Sequence, residues 1–356
     1  MNKILVITTD YPNNAGKVSL QYVHTRNVEY LKFGITVTVL NFAAKENYEI
    51  DGIRVITLKT YQTEKNNFNL LISHAPNLRQ HLVFLLQYGK YFQKYIFFFH
   101  GHEVLRCNKV YPKPYSYISH NLFLEYLRDI YDIIKLKVWH YYFLLNLKKS
   151  NFIFVSKWML NEFEKWVKID RKELSGRYEI TYNSVGQIFE IEQYNTDVKK
   201  IYDFITIRSN MDGSKYCIDV VNKIAEDNPN YKFLIVGRGK FFKYNQKSKN
   251  VCWMNKNLRH NEMIDLLNKS RCALMPTRTD AQGVMACEMA TFGIPLVTTD
   301  LPVCHEVFDT FVNVQYIANN RKINCKDLLN KVNFIFKKNC EYFIENTIIK
   351  EIKLLK

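Results

Sequence analysis

Residues 272–298 read CALMPTRTDAQGVMACEMATFGIPLVT, and this stretch decides the fold. Cys272–Met275 is an apolar run of strand length, Val284–Phe292 is a helix-period segment, and Pro295–Thr298 is again a strand. A strand, a loop, a helix and a second apolar strand in that order describe a parallel pair with its crossover. The loop after Met275 carries Asp280, and the helix starts near Gly283.

The same alternation extends outward in both directions. Asp203–Ile207 reads as a strand, Lys215–Glu226 as a helix, and Lys232–Val236 as a strand ending in Gly237-Arg238-Gly239. Asn261–Ser270 is a further helix. The first half repeats the scheme. Lys3–Thr9, Thr36–Leu40, Arg54–Leu58, Tyr95–Phe99 and Asn151–Val155 read as strands. Ser19–Phe33 (closed by Gly34), Asn77–Gln87, residues 116–149 and Lys157–Val167 read as helices. Near-continuous apolar strands separated by helices mean parallel sheets covered on both faces. The expected class is therefore α/β, with two Rossmann-like doubly wound domains facing a central cleft. The boundaries expected are 1–186, a polar linker over 187–200, a second domain over 201–340, and a carboxy-terminal helix over 341–356.

Composition narrows the class of molecule. The chain has 356 residues, 47% hydrophobic and 15% aromatic, with 12 Gly and 8 Pro, which excludes a disordered or low-complexity chain. No uncharged apolar run reaches membrane-spanning length. The eight cysteines contain no C-x-x-C pair, so zinc spacing is absent and reduced thiols in a cytoplasmic protein are expected. Lys+Arg outnumber Asp+Glu by 50 to 34, a net charge of +16. The surplus is even: 27 basic against 18 acidic residues over 1–200, and 23 against 16 over 201–356. A nucleic-acid binder would concentrate its charge in a tail or stripe, so no nucleic-acid partner is expected.

Within 276–295 the chemistry is legible. Gly283 lets the backbone approach a ligand, and the amides of Gly283, Val284 and Met285 form the open end of a helix. Such an end suits a diphosphate. Asp280 and Glu288, eight residues apart, can grip hydroxyls of one elongated ligand. The plainer alternative is that Glu288 is simply a carboxylate in the favourable half of a helix.

The segment Pro276–Pro295 resembles the donor site of retaining GT-B glycosyltransferases, the large family-four group that uses nucleotide sugars. The likeness runs on through Val297-Thr298-Thr299-Asp300 and Pro302–Val307, with Asp280 standing where Glu is usual. It implies that Arg208, after a strand, and Lys215, at the next helix, clamp the donor diphosphate. It also places Gly237 in the strand-end glycine turn of the donor domain. In the first half, Asp10–Lys17 resembles the loop over the donor phosphate, with the usual glycine pair reduced to Gly16. His100-Gly101-His102-Glu103 follows a strand, and the resemblance puts His100 against the transferred sugar. Phe154–Trp158 and Tyr182-Asn183-Ser184 resemble the end of the first domain and its hinge.

The resemblance implies an enzyme that moves a sugar from a nucleotide donor to an acceptor hydroxyl with retention. The donor is expected to be UDP-linked. The acceptor is a saccharide or lipid-linked saccharide, in bacterial surface-polysaccharide synthesis. Asp280 and His100 are the candidate catalytic residues, and Lys17, His102 and Glu103 the candidate acceptor residues. No cofactor and no metal are expected, because no Asp-x-Asp motif or His/Asp cluster is present. A nucleotide-sugar epimerase or a phosphorylase would use the same architecture, and a basic nucleic-acid binder is the non-enzymatic alternative. Residues 135–149 (KLKVWHYYFLLNLKK) have two readings. One is a core helix with snorkelling lysines; the other is peripheral contact with an anionic membrane at its inner face.

Overall fold

Ile4–Thr8 is buried at every residue, as is Leu70–His74, and Lys94–Phe99 is buried at all but its first. Such strands have no face to give to water, so they take the middle of a parallel sheet. The computed structural model describes residues 3–16, 19–118, 121–331, 333 and 338–355, and it contains two sheets.

The first sheet comprises β1 (Ile4–Thr8), β2 (Val37–Asn41), β3 (Tyr48–Ile50), β4 (Ile53–Ile56), β5 (Leu70–His74), β6 (Lys94–Phe99), β7 (Ser150–Phe154) and β8 (Tyr178–Ile180). Their order is β3-β4-β2-β1-β5-β6-β7-β8. Only β3–β4 is antiparallel. Asp51 and Gly52, both with positive φ, make the two-residue turn that such a hairpin needs. The second sheet comprises β9 (Tyr202–Asn210), β10 (Phe233–Arg238), β11 (Val251–Met254), β12 (Ser270–Leu274), β13 (Leu296–Thr299) and β14 (Val314–Ile317). It is parallel throughout, in the order β11-β10-β9-β12-β13-β14.

Alternation along β6 divides the first core. Ile96 and Phe98 join Val23, Tyr30, Ile348 and Ile352 on one face. Phe97 and Phe99 meet Phe143, from the helix Leu122–Leu145, on the other.

The chain divides into two units, and the division departs from the sequence-based boundaries. The first comprises 1–106, 129–184 and 344–356, and the second 107–128 and 185–343. The stretch 187–200 is not a linker. Gln187–Ile191 is a helix with Phe189 fully buried, and Tyr194 is buried with its hydroxyl donating to the Ser270 carbonyl at 2.7 Å. Two aromatic side chains in a polar stretch hold the backbone to the second unit. Five helical residues are too few to show a period.

The carboxy-terminal helix, Ile344–Leu355, is part of the first unit. It buries Ile348, Ile352 and Leu355 in the first core. It also delivers Glu351 to Arg26 at 2.9 Å, with both side chains essentially inaccessible. Arg26 lies near the face of Phe98 and donates to Asn183 Oδ1 at 2.7 Å, while Tyr30 donates to Glu351.

A buried ion pair is costly to break from one side, because the remaining charge has no water. Glu351→Ala should cost about 3–5 kcal/mol in urea unfolding. The apolar double replacement Arg26→Met with Glu351→Met should cost much less. Equal losses in the two proteins would contradict this account.

Candidate active site

In the second unit, β9 and β12 are neighbours in register, Ala273 opposite Ile205. Three residues further on, Arg208 therefore lies level with Pro276, and its Nη2 donates to the Pro276 carbonyl at 2.6 Å. The guanidinium is buried, and Nε has no hydrogen-bond partner among the described residues. Burial lowers its pKa, and the Asp280 carboxylate opposes that shift. Arg208, Thr277, Asp280, Gln282 and Gly283 line one recess, floored by apolar residues such as Met275 and Phe308.

Gly283 has φ +77, the left-handed conformation that glycine adopts without strain, and it opens the helix Val284–Phe292. The Ala286 and Cys287 amides return to the Gly283 carbonyl. The Val284 and Met285 amides precede the first intrahelical acceptor and form the open end. A Cβ on Gly283 would lie 3.4 Å from the Asp280 carboxylate, so the acid stands beside that end. Asp280 also accepts the Ala281 amide at 2.8 Å.

Lys215 does not open a helix, as its sequence context suggested. It sits in the single 3-10 turn Ser214–Tyr216, and the helix begins only at Ile218. Its carbonyl is taken by Thr277 Oγ1 at 3.1 Å and by the Arg278 amide at 2.9 Å, which withdraws it from a helical ladder. The same bonds tie the Lys215 turn to the Asp280 loop. Both Lys215 Nζ (4.8 Å) and the Arg208 guanidinium (5.2 Å) lie over the Tyr216 ring, which places the two cations around one aromatic. Arg278 fastens the turn from the other side through a two-bond pair with Asp219, which also accepts the Tyr115 hydroxyl. Gly237 serves close packing: a Cβ there would fall 2.1 Å from the Arg208 carbonyl oxygen.

Glu288 is buried on the helix, with the Gly186 amide at 3.4 Å and His260 Nε2 at 3.8 Å. Gly186 sits close to the His260 ring, which a Cβ there would meet at 2.8 Å and displace. Burial pushes the Glu288 carboxyl up to about 7, against a smaller opposing effect of the Gly186 amide. Sequence reasoning missed Tyr216, Gly186 and His260, which reach the site from separate segments without a motif of their own.

In the first unit, His100 follows β6 and is half-buried. His74 ends the neighbouring β5, fully buried, with Nδ1 3.1 Å from His100 Nε2. Burial first, and then the Arg26 charge and neighbouring histidines, hold both imidazoles well below their ordinary pKa and therefore neutral. His74 occupies Nε2 of His100, so Nδ1 is the ring nitrogen left for a ligand. Tyr22 packs on the ring at 4.5 Å.

Glu103 was expected among acceptor residues, but it is buried. Its Oε1 accepts the amides of His100 and Gly101. Oε1, shared by two backbone donors, shapes the His100 turn, and Oε2 has no hydrogen-bond partner among the described residues. His102 is exposed, with its side chain 73% accessible. Gly16 has φ +90 and lies in an exposed turn after β1, its amide bonded to the Asn13 carbonyl. Lys17 lies outside the described residues. Among the described residues no three His, Cys, Asp or Glu side chains gather as a metal site.

Residues 204–335 match the family model described as Glycosyl transferases group 1. Sucrose-phosphate synthase from Thermosynechococcus elongatus superposes with a TM-score of 0.70 at 11% identity, covering 99% of this chain and 98% of that one. A glycosyltransferase from Rickettsia africae gives 0.64 at 13% identity, covering 100% and 98%. An E. coli structure described as trehalose-6-phosphate bound with UDP-2-fluoro glucose gives 0.57 at 9% identity, covering 99% and 95%. No curated protein sequence matches. The fold is GT-B, and the match to group 1 glycosyltransferases lies within the second unit.

The Glu288 environment makes stability depend on pH in a definite direction. The folded chain keeps this proton up to about 7, whereas the unfolded chain releases it in the ordinary carboxylate range. Its contribution is full in acid and is lost as pH rises through about 7. Between pH 4 and 8 the wild type should lose about 3 kcal/mol relative to Glu288→Gln. Urea titrations at both pH values check this, and parallel pH profiles would refute it.

Proposed function

From a GT-B fold whose residues 204–335 match group 1 glycosyltransferases, we propose a retaining glycosyltransferase that takes its sugar from a UDP-linked donor held by the second unit. The observation that carries this reading is the buried Arg208, with an unpartnered Nε, beside the helix end that Gly283 opens. A diphosphate supplies the acceptor oxygens that these donors lack. Lys215 adds a second cation around the Tyr216 ring. Asp280 and Glu288 accept hydroxyls of the sugar and ribose. A uridine nucleotide is supported by the E. coli relative in fold, whose bound molecule is a UDP-sugar.

In the reaction the acceptor hydroxyl oxygen bonds to the anomeric carbon as the bond from that carbon to the diphosphate breaks. The acceptor proton passes to the departing phosphate oxygen. Arg208, Lys215 and the helix amides stabilise the charge that builds on the leaving group. The first unit takes the acceptor, a saccharide or lipid-linked saccharide of bacterial surface-polysaccharide synthesis, with His102 and Lys17 beside it. His100 bonds the transferred sugar through Nδ1, and Gly16 covers the donor phosphate. The work is cytoplasmic, with peripheral contact at the inner face of the membrane. No metal takes part, because the diphosphate charge is met by side chains and amides.

Lys215→Ala should weaken UDP binding roughly ten- to hundredfold by calorimetry, the value of one charge-assisted hydrogen bond. Wild-type affinity in that variant would remove Lys215 from the donor site. His100→Ala should lower kcat by roughly a hundred- to a thousandfold, as loss of one preorganised polar group does, with UDP affinity unchanged. A larger loss at His102→Ala would move the assignment to that residue. Transfer should survive EDTA; activity abolished by chelation and restored by manganese would refute the metal-free mechanism.

A further inference from the structure

The helix Leu122–Leu145 carries nine of the large hydrophobic side chains that the described residues leave exposed. Ile134, Tyr141 and Leu145, in the part of the helix that belongs to the first unit, are 52, 65 and 85% accessible. At 100° per residue these three fall within a narrow stripe, which the half-buried Ile130 and Val138 continue. The stripe runs about 22 Å at 1.5 Å per residue. The opposite side of the helix is already spent: Trp139 and Phe143 are buried in the core, and Lys135 is buried against Asp132 at 2.7 Å. The core-helix and membrane readings of the sequence therefore both apply, to opposite faces of one helix.

The charges are sorted in the same way. Glu125, Asp129 and Asp132 all project away from the stripe by helical period, and Asp129 is paired with Arg106. The exposed charges on this helix are Arg128 and Lys137, and exposed Lys148 follows its end. Lys137 lies at the edge of the stripe, between Ile134 and Tyr141 along the helix. Packing two copies of this chain along the stripe would bury that ammonium against apolar side chains. At a lipid surface its stem can lie along the acyl boundary while the ammonium stays with the phosphates.

We propose that the stripe Ile130–Leu145, within the first unit, is a docking surface for an anionic lipid bilayer, on which the helix lies in the interfacial plane. Tyr141 and Tyr131 bring amphipathic rings to the headgroup level, and Lys137 and Lys148 meet the lipid phosphates. No described helix is long and apolar enough to cross a membrane, so the contact is lateral. This deepens the membrane part of the proposed function. It rests on that reading for its purpose, reaching a lipid-linked acceptor, while the binding itself is measurable without any transfer reaction.

The test is co-sedimentation of the full chain with vesicles of phosphatidylcholine alone or with 30% phosphatidylglycerol, alongside UDP calorimetry. The wild type should bind the anionic vesicles and release them in high salt. Ile134→Ser, Tyr141→Ser and Leu145→Ser combined should weaken vesicle binding at least tenfold, and Lys137→Gln with Lys148→Gln about tenfold. All three substituted apolar side chains are exposed, so the fold should persist, and UDP affinity should match wild type. Absence of binding to anionic vesicles overturns the proposal. So does equal binding by the triple variant, or a wild-type dimer in size exclusion that the triple variant converts to monomer. Vesicle binding by a wild type that does not bind UDP supports the docking surface and refutes the donor-site reading instead.

Discussion

A strand paired in parallel on both edges and covered on both faces keeps only its ends for chemistry. Both sheets of this protein obey that constraint, and the candidate site residues follow from it. His74 and His100 meet because they leave adjacent strands, β5 and β6, at the same end. Arg208 meets Pro276 because β9 and β12 are adjacent and in register. Neither encounter needs a local motif. Each is a consequence of strand order, which the right-handed crossovers of parallel sheets restrict to few arrangements.

Polar groups, buried at Glu103 and Arg26 and half-exposed at Arg278 and Asp219, then fix the strand-end loops. Glu103 spends one carboxylate oxygen on the two amides of the His100 turn, and Arg278 with Asp219 clamps the turn that carries Lys215. Arg26 draws Glu351 and Asn183 together, joining the last helix to the segment where the chain leaves the first unit. Such groups lose more when one partner is removed than they contribute intact. They therefore act as specificity devices, each holding one loop geometry over its competitors.

The local geometry of residues 276–295 was largely legible, because strand end, acid, glycine and helix start are all local there. Gly283 was read as a point where the backbone can approach a ligand, with the open helix amides beside it, and the structure adds its left-handed φ. Lys215 was misplaced by a few residues, since the bonds that hold its carbonyl come from Thr277 and Arg278, some sixty positions away. Glu103 looked like a surface acid beside two histidines, and only its burial shows the turn it supports. The stretch 187–200 looked like a linker because polar residues outnumber Phe189 and Tyr194, yet those two rings decide where it packs.

The sequence by itself determined the alternation of strands and helices, the parallel character of the sheets and the open helix start at Gly283. All three rest on periodicity or on backbone conformations set within a few residues. Tertiary structure decided which strand ends are neighbours and which carboxylates are buried. It also decided that helix 122–145 turns its tryptophan inward and its isoleucine–tyrosine–leucine stripe out. Those outcomes depend on contacts between residues far apart in the chain, where desolvation and packing, not local propensity, carry the free energy.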